Sequence, residues 1–410
     1  MTVKSSEFIA PVEQLTTIKQ RSLYQDAWHR LMASNTARLG MFIVIVFVMS
    51  AVLARFFWKY DATTDLDYTL KLKPPNLVAT EEVPSIHIFG TDKLGRDIFR
   101  RTVHGGWNSL RVGIVAVGIS LIIGGILGLL SGFYENVPIN PNERIFFMGT
   151  IGLVLGLLPA WIANQPVQAL LFGALGAVSA YFSGFLEGRK VRLLIFVAAG
   201  LLIGAIPSLF VAPMVAFVCG ILGMMIGLMV AFPASGQLFS NITMRAMDII
   251  LTFPGYLLAI AIVAFLGPGI EKGMIAIGIV SIPIYARLAR SAVLSVMPKE
   301  FNLAAQALGA SHGRIMFMHV LPNILSPMIV QTTMGLAAAI LSAAALGFLG
   351  LGAIPPEPEW GAMLGDSYRY LTSGAWWAVV FPGLAIMLSV LGFNLLGDGL
   401  RDALDPKLRT

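Results

Sequence analysis

The stretch Trp107-Asn-Ser-Leu-Arg-Val-Gly-Ile-Val-Ala-Val-Gly-Ile-Ser-Leu-Ile-Ile-Gly-Gly-Ile-Leu-Gly-Leu-Leu-Ser-Gly-Phe133 carries one charge, Arg111, near its start. About 20 apolar residues suffice for a helix to cross the ~30 Å hydrocarbon core of a bilayer, so this run is long enough to span. It is apolar almost all round and lacks the period-2 alternation of a membrane barrel strand, which leaves a helix. Gly113, Gly118, Gly124, Gly125 and Gly128 lie within it, and small residues let helix backbones approach closely inside a bilayer.

Outward from 107–133, five more runs of the same kind lie near 38–57, 250–267, 273–292, 324–352 and 376–397. Four further runs, near 145–163, 167–186, 193–212 and 214–232, are joined by very short turns. The expectation is an all-α polytopic membrane protein with ten spans: a six-span core with about four additional inserted spans. Within the insert, Gly152, Gly156 and Pro159 recur 48 residues later as Gly200, Gly204 and Pro207, the pattern of a duplicated hairpin or of chance matching among Gly-rich helices.

Composition agrees. The chain has 410 residues, 57% of them hydrophobic and 12% charged, with a mean hydropathy of +0.79. A soluble enzyme sits near ~45–50% and ~25%. The single cysteine, Cys219, lies in an apolar run and has no internal partner for a disulfide. The net charge of +6 comes from basic residues scattered between the apolar runs, with no dense basic arm for nucleic acid.

Topology follows from those charges. The first 37 residues form a basic segment with no apolar core, which places the N-terminus in the cytoplasm. With ten spans the C-terminus is cytoplasmic too. Lys and Arg then outnumber Asp and Glu inside but not outside, although the external segment 58–106 carries seven basic residues beside seven acidic ones. The expected organisation is 1–37 cytoplasmic, 38–133 the first two core spans with the external segment 58–106, 134–239 the insert, and 240–410 the last four core spans with a cytoplasmic tail.

Catalytic signatures are missing. No Gly-Lys pair occurs, so no phosphate-binding P-loop exists, and the five histidines show no metal-ligand spacing. No catalytic residue, metal or cofactor is expected. Ionisable residues of the spans (Arg111, Arg245, Asp248, Arg287, Arg290 and Asp398) fall near span ends, which disfavours an ion-coupled carrier.

The informative polar stretch is 299–323. A short helix breaks at Gly309, and a second piece runs into Leu321-Pro322. Bare Ala304, Ala305 and Ala307 give it a small-residue face able to enter another protein's groove.

Ala304-Ala305-x-x-x-Gly309, followed after nine residues by His319-Val320-Leu321-Pro322, resembles the EAA coupling loop of binding-protein-dependent ABC importer permeases. That pattern has Glu where this chain has Leu303, and often an aliphatic residue at 319. Other strings resemble the C-type permease of the dipeptide and oligopeptide subfamily: Phe89-Gly-Thr-Asp-Lys-Leu-Gly-Arg-Asp97; Gly347-Phe-Leu-Gly-Leu-Gly352 followed by Pro355-Pro356 and Trp360-Gly-Ala-Met-Leu364; Phe381-Pro-Gly-Leu-Ala-Ile386; and the tail Asn394-Leu-Leu-Gly-Asp-Gly-Leu-Arg-Asp-Ala-Leu-Asp-Pro406.

The resemblance implies a non-catalytic permease subunit in the plasma membrane, part of an importer of peptides or similar small solutes. Its implied partners are a second permease subunit, two cytoplasmic ATP-binding subunits, an external solute-binding protein and membrane lipid, with no nucleic acid. Ala304, Ala305, Gly309, Leu321 and Pro322 are the implied coupling residues. The alternative is a self-sufficient secondary carrier or channel, which would transport unaided. A membrane-embedded enzyme would need a convergent polar site.

Overall fold

The computed structural model describes residues 23–135 except 59, 62–64 and 80–82, together with residue 137 and residues 236–404. The four inner runs, their repeat and Cys219 lie outside the described residues.

Ten helices carry the described chain: α1 (Leu23–Ala33), α2 (Asn35–Phe57), α3 (Ile98–Phe133), α4 (Gly236–Thr252), α5 (Gly255–Leu266), α6 (Ile270–Val296), α7 (Glu300–Ala307), α8 (His312–Phe348), α9 (Trp360–Ser367) and α10 (Trp377–Leu404). No strand occurs among the described residues beyond isolated bridges at Asn76–His87 and Thr91–Asp97. Helices α2, α3, α6, α8 and α10 are long and apolar enough to cross a membrane, and α4 with α5 makes a sixth candidate if counted as one span.

Three boundaries differ from the sequence expectation. The run 250–267 is not one straight helix: α4 and α5 meet at 89°. Pro254 lacks an N–H and disfavours helical backbone at Phe253, so the helix stops and restarts inside an unbroken apolar run. Helix α3 begins at Ile98, nine residues before the apolar run, because the Asp97 carboxylate accepts from Arg100 N at 2.8 Å and caps it. Helix α8 starts at His312 and stops at Phe348. There Gly350 adopts φ +79°, and Leu351 N donates to Leu346 O at 2.9 Å.

Helices α3 and α6 form the centre. A Cβ on Gly124 would meet Ile282 O at 2.5 Å, and one on Gly132 would meet Val293 Cβ at 2.8 Å. Gly128 stands between them against Ala286 and Ala289. The four-residue spacing aligns these glycines on one face, so the backbones touch. Helices α2 and α10 pack in the same way through Gly40, Gly392 and Gly399. Gly118, with nothing within 4 Å of a would-be Cβ, takes no part in such packing.

The core has two distinct ends. At one end, Gly269 N donates to Leu351 O, Trp360 Nε1 to Thr102 O at 2.7 Å and Trp377 Nε1 to Thr91 O at 3.1 Å. At the other end, the ring of His312 stands 5.8 Å from that of Phe133, and Asn302 Nδ2 donates to Val296 O at 2.8 Å. Helix α6 separates the two by about 40 Å, at 1.5 Å per residue. Large apolar side chains left exposed on the spans, such as Phe42, Phe56 and Met387, form the surface that lipid or other membrane subunits would cover.

Candidate functional site

The polar stretch between α6 and α8 folds as an elbow. Helix α7 runs Glu300–Ala307 with Lys299 as its N-cap residue. It closes with Gly309 at φ +77°, where Gly309 N donates to Gln306 O at 2.9 Å and Ala310 N to Ala305 O at 3.0 Å. This double bond pattern requires left-handed backbone, which a side chain disfavours. The space around Gly309 is open, so backbone geometry alone selects the glycine.

Past the glycine, Ser311 caps the start of α8, and Ile315–Val320 winds as a π-helix in which Leu321 N–H bonds to Met316 O. Pro322 follows and has no N–H to offer. The Asn323 side chain supplies a donor instead, from Nδ2 to His319 O at 2.6 Å. A locally widened π-helical turn within an α-helix occurs frequently at functional sites.

Ala304 and Pro322 are exposed, Gly309 is exposed, and Ala305 and Leu321 are half-buried. The structure therefore brings all five sequence-selected residues onto one elbow. Leu303, which stands where the family pattern has Glu, and residues outside the five complete it. Leu308 is 89% exposed, and Phe301 and Leu303 also stand out to solvent. Asn302, fully buried, pins α7 to the last turn of α6. His312 leans on Phe133 and Tyr134 at the end of α3. Three exposed apolar side chains thus surround the small side chains of Ala304 and Ala305.

At the far end, the strings Phe89–Asp97, Gly347–Gly352, Trp360–Leu364 and Phe381–Gly383 meet, whereas Asn394–Asp398 lies toward the elbow end of α10. The ring of Phe89 stacks on that of Phe381 at 3.9 Å. Lys93 Nζ pairs with Asp366 at 2.8 Å. The carboxylate of Asp92 is buried, receiving Arg96 Nε at 2.7 Å, a guanidinium nitrogen of Arg101, and backbone donors from Leu94 and Arg96. Burial pushes Asp92 upward, but Arg101, Arg96 and the two amides outweigh it and hold the carboxyl below its ordinary value. Glu359 has no cation beside it. Its two oxygens cap α9, accepting from Gly361 N and Ala362 N at 2.8 Å each. Burial pushes its carboxyl above the ordinary value despite those amides.

Among the described residues no group of three or more His, Cys, Asp or Glu stands together as a metal site. Asp92 and Glu359 are both engaged by donors of the fold itself.

Comparisons with known proteins identify the family. Residues 223–410 match the family described as the binding-protein-dependent transport system inner membrane component, and residues 22–75 match the N-terminal TM domain of oligopeptide transport permease C. The dipeptide transport system permease protein DppC of Alkalihalophilus pseudofirmus is 37% identical over 401 residues, covering 98% of this chain and 94% of the relative. DppC of Escherichia coli K12 is 53% identical over 168 residues, 41% of this chain and 56% of that protein. The glutathione transport system permease protein GsiD of Pectobacterium atrosepticum is 31% identical over 404 residues, 98% of each. Long apolar helices and this degree of identity lead to one conclusion: the chain belongs to the inner membrane component family of binding-protein-dependent transport systems and is a non-catalytic, multi-pass permease subunit of such an importer.

Proposed function

We propose that the chain conducts short peptides, and that the elbow 299–323 is where cytoplasmic ATP-binding subunits push. The carrying observation is the elbow itself: an exposed apolar surface of Phe301, Leu303 and Leu308 flanks Ala304, which is exposed, and the half-buried Ala305, on a helix fastened to α6 through Asn302. Force applied to that surface has a short route into the spans. Gly309 sets the bend, and Leu321 and Pro322 lead it into α8.

A second permease subunit and an external solute-binding protein complete the assembly, as the family implies. Both described chain ends support a cytoplasmic placement for the termini, since α1 and the end of α10 meet at the elbow end through Leu31, Ala37 and Ala403. Peptide as cargo is supported by the dipeptide and glutathione permeases among the relatives.

Leu303, in place of the family glutamate, shifts this docking toward apolar contact. In proteoliposomes holding the complete importer, Leu308→Asp should abolish solute-stimulated ATP hydrolysis and dipeptide uptake while the membrane subunits stay assembled. Normal uptake in that variant would refute the assignment of the elbow.

A further inference from the structure

A polar cluster above the elbow has no part in the reading so far. On α6, Arg290 Nη2 pairs with Glu135 at 2.7 Å, and Arg290 Nε donates to Ser240 Oγ at 3.1 Å. Ser240 in turn accepts from Ser131 Oγ at 3.0 Å and donates to Glu135 at 3.3 Å. Ser131 and Ser240 are fully buried, and the Arg290 and Glu135 side chains are 27% and 22% exposed. One guanidinium thus ties together the end of α3, the start of α4 and the last third of α6.

We infer that Arg290 is a positioning residue for energy coupling, holding α3, α4 and α6 as one body so that movement of the elbow reaches all three together. The elbow is anchored at two points, by Asn302 on Val296 of α6 and by His312 against Phe133 and Tyr134 of α3. Arg290 lies about 9 Å along α6 from Val296, and Glu135 directly follows Tyr134. The clamp therefore lies directly above both anchors.

Helices α3 and α6 already touch through Gly124, Gly128 and Gly132 and need no clamp to move together. Helix α4 differs. It meets them through apolar side chains that include Ile250 and the flexible Met244 and Met247, and through the half-exposed pair Arg287–Asp248, whose exposure makes it weak. Arg290 and Ser240 supply the directional connection that those contacts lack, and α4 leads into the 89° bend with α5.

The inference rests on the elbow reading above, and its test separates the two. Uptake and ATP hydrolysis are measured in proteoliposomes containing the chain with its paired permease, both ATP-binding subunits and solute-loaded binding protein. Arg290→Gln should leave basal hydrolysis and the amount of assembled complex unchanged, yet lower solute transported per ATP about tenfold. Arg290→Lys, which keeps the charge but not the fork, should lie between it and wild type. The double exchange Glu135→Arg with Arg290→Glu should recover part of the loss.

Wild-type transport per ATP in Arg290→Gln would overturn the clamp. If that variant fails to assemble, Ser240→Ala decides: full coupling there overturns the clamp, and reduced coupling with normal assembly supports it. Leu308→Asp is run alongside, and normal coupling in that variant overturns the elbow reading instead.

Discussion

The Ser131 hydroxyl donates to the Ser240 hydroxyl at 3.0 Å, so two residues 109 positions apart meet where α3 ends and α4 begins. Glu135 reaches the same serine. The end of α3 and the start of α4 are thus joined at a single polar point beside the α3–α6 packing.

Replacing residues 138–235 with a flexible polar linker of about five residues should therefore preserve membrane insertion and solute uptake, since loop length affects closure only weakly. Uptake in the reconstituted importer checks this. Correct insertion with no transport would show that the removed segment acts in the cycle.

Glycines of similar composition should behave oppositely. Gly128→Ala places a methyl group against the Ala286 backbone and should destabilise by about 1–3 kcal/mol, as overpacking does. Gly118→Ala meets open space and should be neutral or stabilise by about 0.5–1 kcal/mol through helix propensity. Thermal unfolding of the detergent-solubilised chain distinguishes them, and equal effects would contradict the α3–α6 interface.

At Gly309 the expected order of solute-stimulated hydrolysis is Gly above Asn above Ala. The φ of +77° costs a Cβ-bearing residue about 1–2 kcal/mol, and Asn tolerates it best. A bulky Gly309→Val below all three is consistent with backbone strain. Normal hydrolysis in the Ala variant would mean that the turn does not matter for coupling.

Two carboxyls give stability opposite pH dependences. Glu359 has a raised folded value, so its contribution favours the fold at low pH and declines as pH rises above 4.5 through that raised value. Asp92 has a lowered one, so its contribution is present above 3.8 and is lost as pH falls further. Unfolding temperature should thus rise on mild acidification and decline progressively as pH falls below 3.8. Asp92→Asn should cost about 3–5 kcal/mol at neutral pH by leaving Arg96 and Arg101 buried without a counter-charge. A stable Asn variant would show that these guanidiniums find other partners.

Some of this was legible in the sequence. The run 107–133 announces a spanning helix by length and apolarity, and Gly309 announces a break, because both signals are local. The bend at Pro254 was legible in principle, but the apolar run continues through it and hides it. Leu308 was not legible, because exposure of a leucine is a property of neighbours. Asn302 was not either: a lone Asn between Phe and Leu carries no sign that its amide will meet Val296.

Sequence by itself determined that most of this chain lies among lipid, that it is helical, and where its elbow bends, since hydropathy and backbone preference act over a few residues. Only the tertiary structure decided which glycines touch another backbone, that Phe89 stacks on Phe381, and that Glu135, Ser240 and Arg290 meet. Those relations join residues tens to hundreds of positions apart, and packing geometry, which no short window of sequence contains, selects among them.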